Sequence, residues 1–331
     1  DHEPAFNWWM LHVLKKREHI IALVKKRQTR YLKRTHKFGI ELPKTVDEAL
    51  ALDKKNGNTY WADAISKEMK NVRVAFKILD KDKRTPIGYQ FIWCHMVFDI
   101  KIEDFQRKAR FVAGGHMTEP PATLTYASIV SRETVCIALT IATLNDLKVK
   151  AGDIQNAYLA APNKEKVWTK FTDQLGPEYN GKKAIIAKAL YGLRSSGRSF
   201  RDYLALNLRE LGFVSSKADP DLWLRSAKRP KGDKIYEYVI SYVDDLVFQG
   251  IDPKGFMDSL GKRFTLKAGS VKEPDTYLGA NVKKFRIPES DDPDKVRWAF
   301  ESTSYVTKAI MDVERELAEA DMRLLPNART P

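Results

Sequence analysis

Two adjacent carboxylates, Asp244 and Asp245, interrupt an otherwise apolar run in Tyr236-Glu-Tyr-Val-Ile-Ser-Tyr-Val-Asp-Asp-Leu-Val-Phe-Gln249. The segment 235–248 reads as two short strands, which puts both acids at or beside a hairpin tip. A tight turn normally recruits Gly or Asn, and this one has neither. Two anions flanked by Val243, Leu246, Val247 and Phe248 repel each other, and their burial is costly unless a positive group joins them. A divalent cation is one economical answer, since oxygen ligands suit Mg²⁺. An exposed acidic hairpin tip is the other.

A second segment narrows the choice. Val149-Lys-Ala-Gly-Asp-Ile-Gln-Asn-Ala-Tyr-Leu159 starts as a strand, reaches Asp153 and continues in helix formers. A carboxylate at a strand end is what a third ligand would need, and Tyr158 follows closely enough to wall the same pocket. Three carboxylates can hold two Mg²⁺ ions about 3.5–4 Å apart for an in-line displacement at phosphorus.

Charge points toward a polyanion. Lys and Arg number 57 against 43 Asp and Glu, a net charge of +14. Most of the excess lies in residues 11–37, where Lys15, Lys16, Arg17, Lys25, Lys26, Arg27, Arg30, Lys33, Arg34 and Lys37 face one acid, Glu18. Such a run binds nucleic acid by counterion release, or is a solvated helix face.

Other chemistries drop out. Gly255 to Gly261-Lys262-Arg263 has the wrong glycine spacing for a P-loop, and Arg263 stands where Ser or Thr is needed. There is no Gly-x-Ser-x-Gly elbow and no His-Glu-x-x-His. Two cysteines, Cys94 and Cys136, make neither a disulfide framework nor a Cys-rich zinc site. The sequence has no apolar run long enough for a membrane-spanning helix. With no Met at Asp1, the chain is expected to be a piece of something longer.

The coarse pattern is α+β. A capping box at Thr45-Val-Asp-Glu48 opens a helix to about 55, and another is expected over 59–72. Residues 87–100 and 107–113 read as a hairpin. The helix capped by Ser131 is apolar nearly all round and expected to be buried. Helices are also expected over 199–211, stopped by Gly212, from Asp252-Pro253 onward, and over 305–325.

At these residues the chain resembles a copia-type retrotransposon reverse transcriptase. Tyr242-Val-Asp-Asp245 is similar to the family's YVDD box, and Asp153-Ile-Gln-Asn-Ala-Tyr-Leu159 to D-V-x-x-A-F-L. Lys108-Ala-Arg-Phe-Val-Ala-Gly-Gly115 resembles K-A-R-L-V-A-R-G, and Leu190-Tyr-Gly-Leu-Arg194 resembles L-Y-G-L-K. Leu211-Gly-Phe213, Asp219-Pro220 and Tyr277-Leu-Gly279 follow in the family's order, so the likeness covers about residues 45–315.

The resemblance implies a right-hand polymerase: a basic arm over 1–44, first fingers part 45–128, first palm part 129–160, second fingers part 161–198, second palm part 199–252, then thumb and start of connection over 253–331. It implies RNA-directed DNA synthesis with two Mg²⁺ or Mn²⁺ ions, an RNA template, a DNA primer and dNTPs. RNase H and integrase segments of the same polyprotein are implied partners, in a cytoplasmic virus-like particle or the nucleus. Asp153, Asp244, Asp245 and the Ile154 carbonyl would be metal ligands, and Tyr158 would exclude a 2′-hydroxyl. Lys108 and Arg110, two apart on a strand, would neutralise the dNTP triphosphate. Gly192 and Arg194 would border the nascent pair, and Tyr242 and the arm would touch nucleic acid. Gly114 departs from the family's Arg, and Ser195-Ser196-Gly197 from its Q-A-P. The alternative is a catalytically silent module that keeps the fold and binds RNA.

Overall fold

Alternation along Asp245–Gly250 sends Leu246 and Phe248 to one side of a sheet and Val247 to the other, and both sides are covered. That double burial is why this strand reads as an almost unbroken apolar run. The computed structural model describes residues 35–319 except 81–82, 102–103, 119–124, 173–178, 287 and 289–295. The basic positions Lys15, Lys16, Arg17, Lys25, Lys26, Arg27, Arg30, Lys33 and Arg34 lie outside the described residues.

The sheet has five antiparallel strands in the order Val214–Ser215, Leu222–Lys228, Lys234–Tyr242, Asp245–Gly250 and Lys148–Asp153. On one face lies the Arg132–Leu144 helix, burying Val135, Ala138, Leu139 and Ala142 against Val149, Ile240 and Val247. This helix was expected to be buried all round. It is not: Ile137 and Leu144 are 58% and 67% exposed, because a helix lying on one face of a sheet buries only one stripe.

On the other face lie Ser196–Glu210 and Pro253–Gly261, which pack Phe200, Leu204, Leu208, Phe256 and Leu260 on Trp223, Val239, Leu246 and Phe248. The first of these helices starts three residues before the expected Ser199. Its extra turn is anchored by Ser196 Oγ, which donates to the Leu190 carbonyl at 2.6 Å. Gly212 ends it at φ +86°, and Asp252 caps the second by accepting from Gly255 N.

A second core gathers side chains between Ile40 and Ala113 with others between Leu159 and Leu193. The Val46–Asn56 helix has the expected cap, with Thr45 Oγ1 accepting from Glu48 N at 3.1 Å. The Tyr60–Val72 helix buries Trp61, Ile65, Met69 and Val72. The hairpin pairs Cys94–Ile100 with Arg107–Ala113. Its expected first part, Gln90–Phe91, instead joins a separate four-stranded sheet, ordered Phe76–Ile78, Lys183–Ile186, Val167–Lys170, Gln90–Phe91. Three further strands, Thr276–Tyr277, Ala280–Phe285 and Arg297–Glu301, precede the Thr303–Glu319 helix. The expected extension of that helix to 325 falls outside the described residues. No described helix is long and apolar enough to cross a membrane. Cys94 and Cys136 are both free, and burial pushes the Cys94 thiol up to about 12.

Candidate active site

Strand pairing brings the three acids together. Asp245 sits directly across from Asp153 in the sheet, and Tyr242 pairs with Asp245 around the two-residue turn Val243-Asp244. Val243 has φ +52°, a left-handed conformation that costs a β-branched residue of order 1–3 kcal/mol. What holds it there is the next peptide: the Asp244 carbonyl accepts from Ile154 N at 2.9 Å, tying the hairpin tip to the end of the Asp153 strand.

The electrostatics are those of crowded anions. Burial, then the charges of Asp244 and Asp153, push the Asp245 carboxyl up to about 6. Asp244 is raised by burial and by Asp153, against the pull of Arg110 and Lys267. Among the described residues no three His, Cys, Asp or Glu side chains are drawn round one point closely enough to hold a metal. The positive charge is instead an ammonium: Lys267 Nζ donates to Asp153 Oδ2 at 2.8 Å. That bond and the fields of all three acids hold the Lys267 pKa above its usual value. Three hard oxygen donors that repel one another and have attracted a cation are a donor set that fits Mg²⁺ or Mn²⁺.

Lys267 was not anticipated from sequence. It arrives because residues 265–272 run along the open edge of the Asp153 strand. Gln155 N donates to the Thr265 carbonyl, Lys267 N to that of Asp153, and Ala151 N to that of Lys272, at 2.7–2.9 Å. Ser270 Oγ adds a contact of 3.1 Å to Asp153 N.

The remaining expected residues divide into two groups. Lys108 lines the same cavity as Asp153, Asp245 and Lys267. Burial, followed by the charges of Arg110 and Lys101, lowers its pKa. Arg110 lies over the Tyr191 ring at 5.1 Å, and its charge acts on Asp244 and Tyr158. Tyr158, on the short Ala157–Ala160 helix, is 5.0 Å from the Tyr191 ring centroid; burial and then Asp244 raise its pKa. Behind them Glu68, which sequence reasoning passed over, accepts from Phe111 N at 3.0 Å and offsets the charges of Arg110 and Lys108. These side chains share one electrostatic neighbourhood.

Gly192 and Arg194 serve the backbone. Arg194 Nε and Nη2 donate to the carbonyls of Gly115 and His116 at 2.9 and 3.1 Å, so this guanidinium clamps a turn. Gly192 has φ +91°, and a Cβ there would sit 2.0 Å from the Ala113 carbonyl oxygen. The Ser195 and Ser196 departures are structural as well: Ser195 N and Oγ both donate to Glu165 at 2.7 Å. Gly114 N donates to the Trp93 carbonyl at 2.8 Å. Tyr242 is partly buried against the core under the Arg132–Leu144 helix.

A pH dependence follows. With Asp245 at about 6 against an ordinary 3.8, the folded chain binds more protons than the unfolded one between those values. Stability therefore falls as pH rises through that window. Denaturant titrations in EDTA should record the fall, and Asp245→Asn should flatten it; a flat wild-type profile would show that burial and the neighbouring acids do not raise the Asp245 carboxyl.

The chain matches the family profile described as reverse transcriptase (RNA-dependent DNA polymerase) over residues 74–309. It is 27% identical over 259 residues to the retrovirus-related Pol polyprotein from transposon RE1 of Arabidopsis thaliana, covering 74% of this chain and 16% of that one. To the Ty1-LR2 Gag-Pol polyprotein of Saccharomyces cerevisiae it is 32% identical over 287 residues, covering 82% of this chain and 15% of the relative. It thus spans about a sixth of the polyproteins it resembles. A foamy viral protease–reverse transcriptase in complex with double-stranded DNA aligns at TM-score 0.36 and 14% identity, over 66% of this chain and 33% of that one. With the family profile covering most of the chain and the YVDD, D-I-Q-N-A-Y-L and K-A-R motifs meeting around one cavity, this chain belongs to the reverse transcriptase family of copia-type retrotransposon Pol polyproteins.

Proposed function

We propose that the chain is an RNA-directed DNA polymerase that extends a DNA primer on an RNA or DNA template. The observation that carries this is the convergence of Asp153, Asp244 and Asp245 beside Lys108 and Arg110. Asp153, Asp244, Asp245 and the Ile154 carbonyl would hold two Mg²⁺ or Mn²⁺ ions, which when bound acidify the primer hydroxyl and neutralise the phosphates. Lys108 and Arg110 bind the triphosphate of the incoming dNTP. Tyr158 closes the sugar side of the pocket. The primer 3′-oxygen attacks the α-phosphorus, its proton is lost, and pyrophosphate leaves.

In this reading the five-stranded sheet is the palm, the second core the fingers, and residues from 253 onward the thumb. The 1–44 arm holds RNA by charge. RNase H and integrase activities belong to other segments of the polyprotein, in a cytoplasmic particle or the nucleus.

The test is primer extension on oligo(dT)-primed poly(rA) with Mg²⁺ and then Mn²⁺. A folded, template-binding protein that extends nothing would mark a silent module. Tyr158→Ala should raise ribonucleotide incorporation relative to dNTPs by roughly 10–10²-fold, read as a ratio of kcat/KM values. An unchanged ratio removes Tyr158 from the pocket wall.

A further inference from the structure

The Tyr60–Val72 helix turns Trp61, Ile65, Met69 and Val72 into the second core. Glu68 belongs to the same stripe, since positions 61, 65, 68 and 72 follow one another at the four- and three-residue steps of a single helix face. It is partly buried there. An acid thus stands where the helix pattern calls for an apolar side chain.

What it meets is the strand of Lys108 and Arg110. Glu68 Oε1 accepts from Phe111 N at 3.0 Å. This is the strand edge on which Ala113 N also finds a partner outside the hairpin, the Tyr191 carbonyl. A glutamine would serve that bond equally well, because its carbonyl oxygen accepts and no charge has to leave water. The carboxylate closes no ion pair among the described residues. The hydrogen bond therefore accounts for an acceptor and leaves the charge unexplained.

The charge has two neighbours. Burial raises the Glu68 carboxyl, while the Phe111 N–H, Arg110 and Lys108 draw it back. Burial, Arg110 and Lys101 all disfavour the Lys108 cation, and Asp99 and Glu68 are the acids that support it. Asp99 faces Lys108 across the hairpin, but its carboxylate is engaged by Lys37. Glu68 is the acid left without a cation of its own.

We infer that Glu68 is a positioning residue that acts through Lys108 and Arg110, tempering their hold on phosphate. The two cations that grip a triphosphate also have to release pyrophosphate, and an anion behind them weakens both contacts. The inference rests on the polymerase reading, which supplies the triphosphate.

The experiment measures equilibrium binding of dTTP, in Mg²⁺, to the protein on poly(rA) with an oligo(dT) primer ended by a dideoxynucleotide, so that no bond forms. Glu68→Gln keeps an acceptor for Phe111 N and removes the charge. It should tighten dTTP binding by about 3–10-fold, and inhibition of primer extension by inorganic pyrophosphate by a similar factor. Glu68→Asp keeps the charge and shortens the reach to Phe111 N. Its dTTP affinity should stay within about twofold of wild type while its denaturant midpoint falls. In a Lys108→Gln background the tightening caused by Glu68→Gln should shrink to about half or less, as a charge acting through that lysine requires.

A side chain that only holds the strand gives the reverse order, with Glu68→Asp the weaker binder and neither variant tighter than wild type. That order overturns the inference, as does tightening undiminished in the Lys108→Gln background. If the wild type binds no dTTP, the polymerase reading falls and the inference with it. Wild-type binding that Glu68→Gln leaves unchanged or weakens overturns the inference alone.

Discussion

Asp244→Asn is expected to abolish nucleotide incorporation, by at least about 10³-fold or ~4 kcal/mol of barrier, while primer–template affinity stays within about twofold. The substitution keeps the side chain's shape and removes one charge from a site built around three. The proposed ions lose an anionic ligand, whereas the basic residues proposed to hold nucleic acid are untouched. Stability should move the opposite way. Asp245 loses a repelling neighbour, so its carboxyl comes down, though burial and Asp153 still hold it above 3.8, and the folded state gains at neutral pH. A variant that is inactive, folds at least as well and binds its template normally has lost chemistry alone. If affinity and activity fell together, the acids would be holding the fold.

The acids were legible because their geometry is local. Once two strands meet at Val243-Asp244, the antiparallel register fixes where Asp245 points, and Asp153 needs only to end the neighbouring strand. Lys267 was not legible. Nothing in Phe264-Thr-Leu-Lys-Ala-Gly269 marks that lysine, and its place depends on a segment with no strand pattern of its own lying along the edge of the Asp153 strand. The Leu222–Lys228 strand was missed for a related reason. Arg225, partly buried over the Phe213 ring, and exposed Ser226 and Lys228 break the apolar pattern, although Trp223 is 2% exposed in the core. Phe91 and Trp93 read as ordinary hairpin strand, since aromatic residues favour strands whichever face they occupy. The backbone role of Arg194 was not legible either, since a motif match gives no sign that its guanidinium is aimed at two backbone carbonyls.

Gly192→Ala is expected to destabilise the protein by about 3 kcal/mol or more and to raise the KM for dNTPs in whatever fraction still folds. Two costs combine at this position. At φ +91° any L side chain is strained, worth about 1–2 kcal/mol. The added Cβ would also lie 2.0 Å from the Ala113 carbonyl oxygen and 2.6 Å from a Val112 methyl, and a backbone carbonyl cannot swing aside. The carbonyl of the preceding residue is engaged there too, since Ala113 N donates to Tyr191 O at 2.7 Å. Relief requires the 190–194 loop to part from the strand that carries Lys108 and Arg110, which would also move Tyr191 from beneath Arg110. Gly232→Ala is the control that separates the two costs. Its φ is +97°, but nothing lies within 4 Å of the added atom, so only the conformational cost of about 1–2 kcal/mol applies. Denaturant unfolding of both variants reads the difference. Equal losses would mean that the Gly192 crossing has room to spare, and the close approach of loop and strand would no longer account for a glycine at that position.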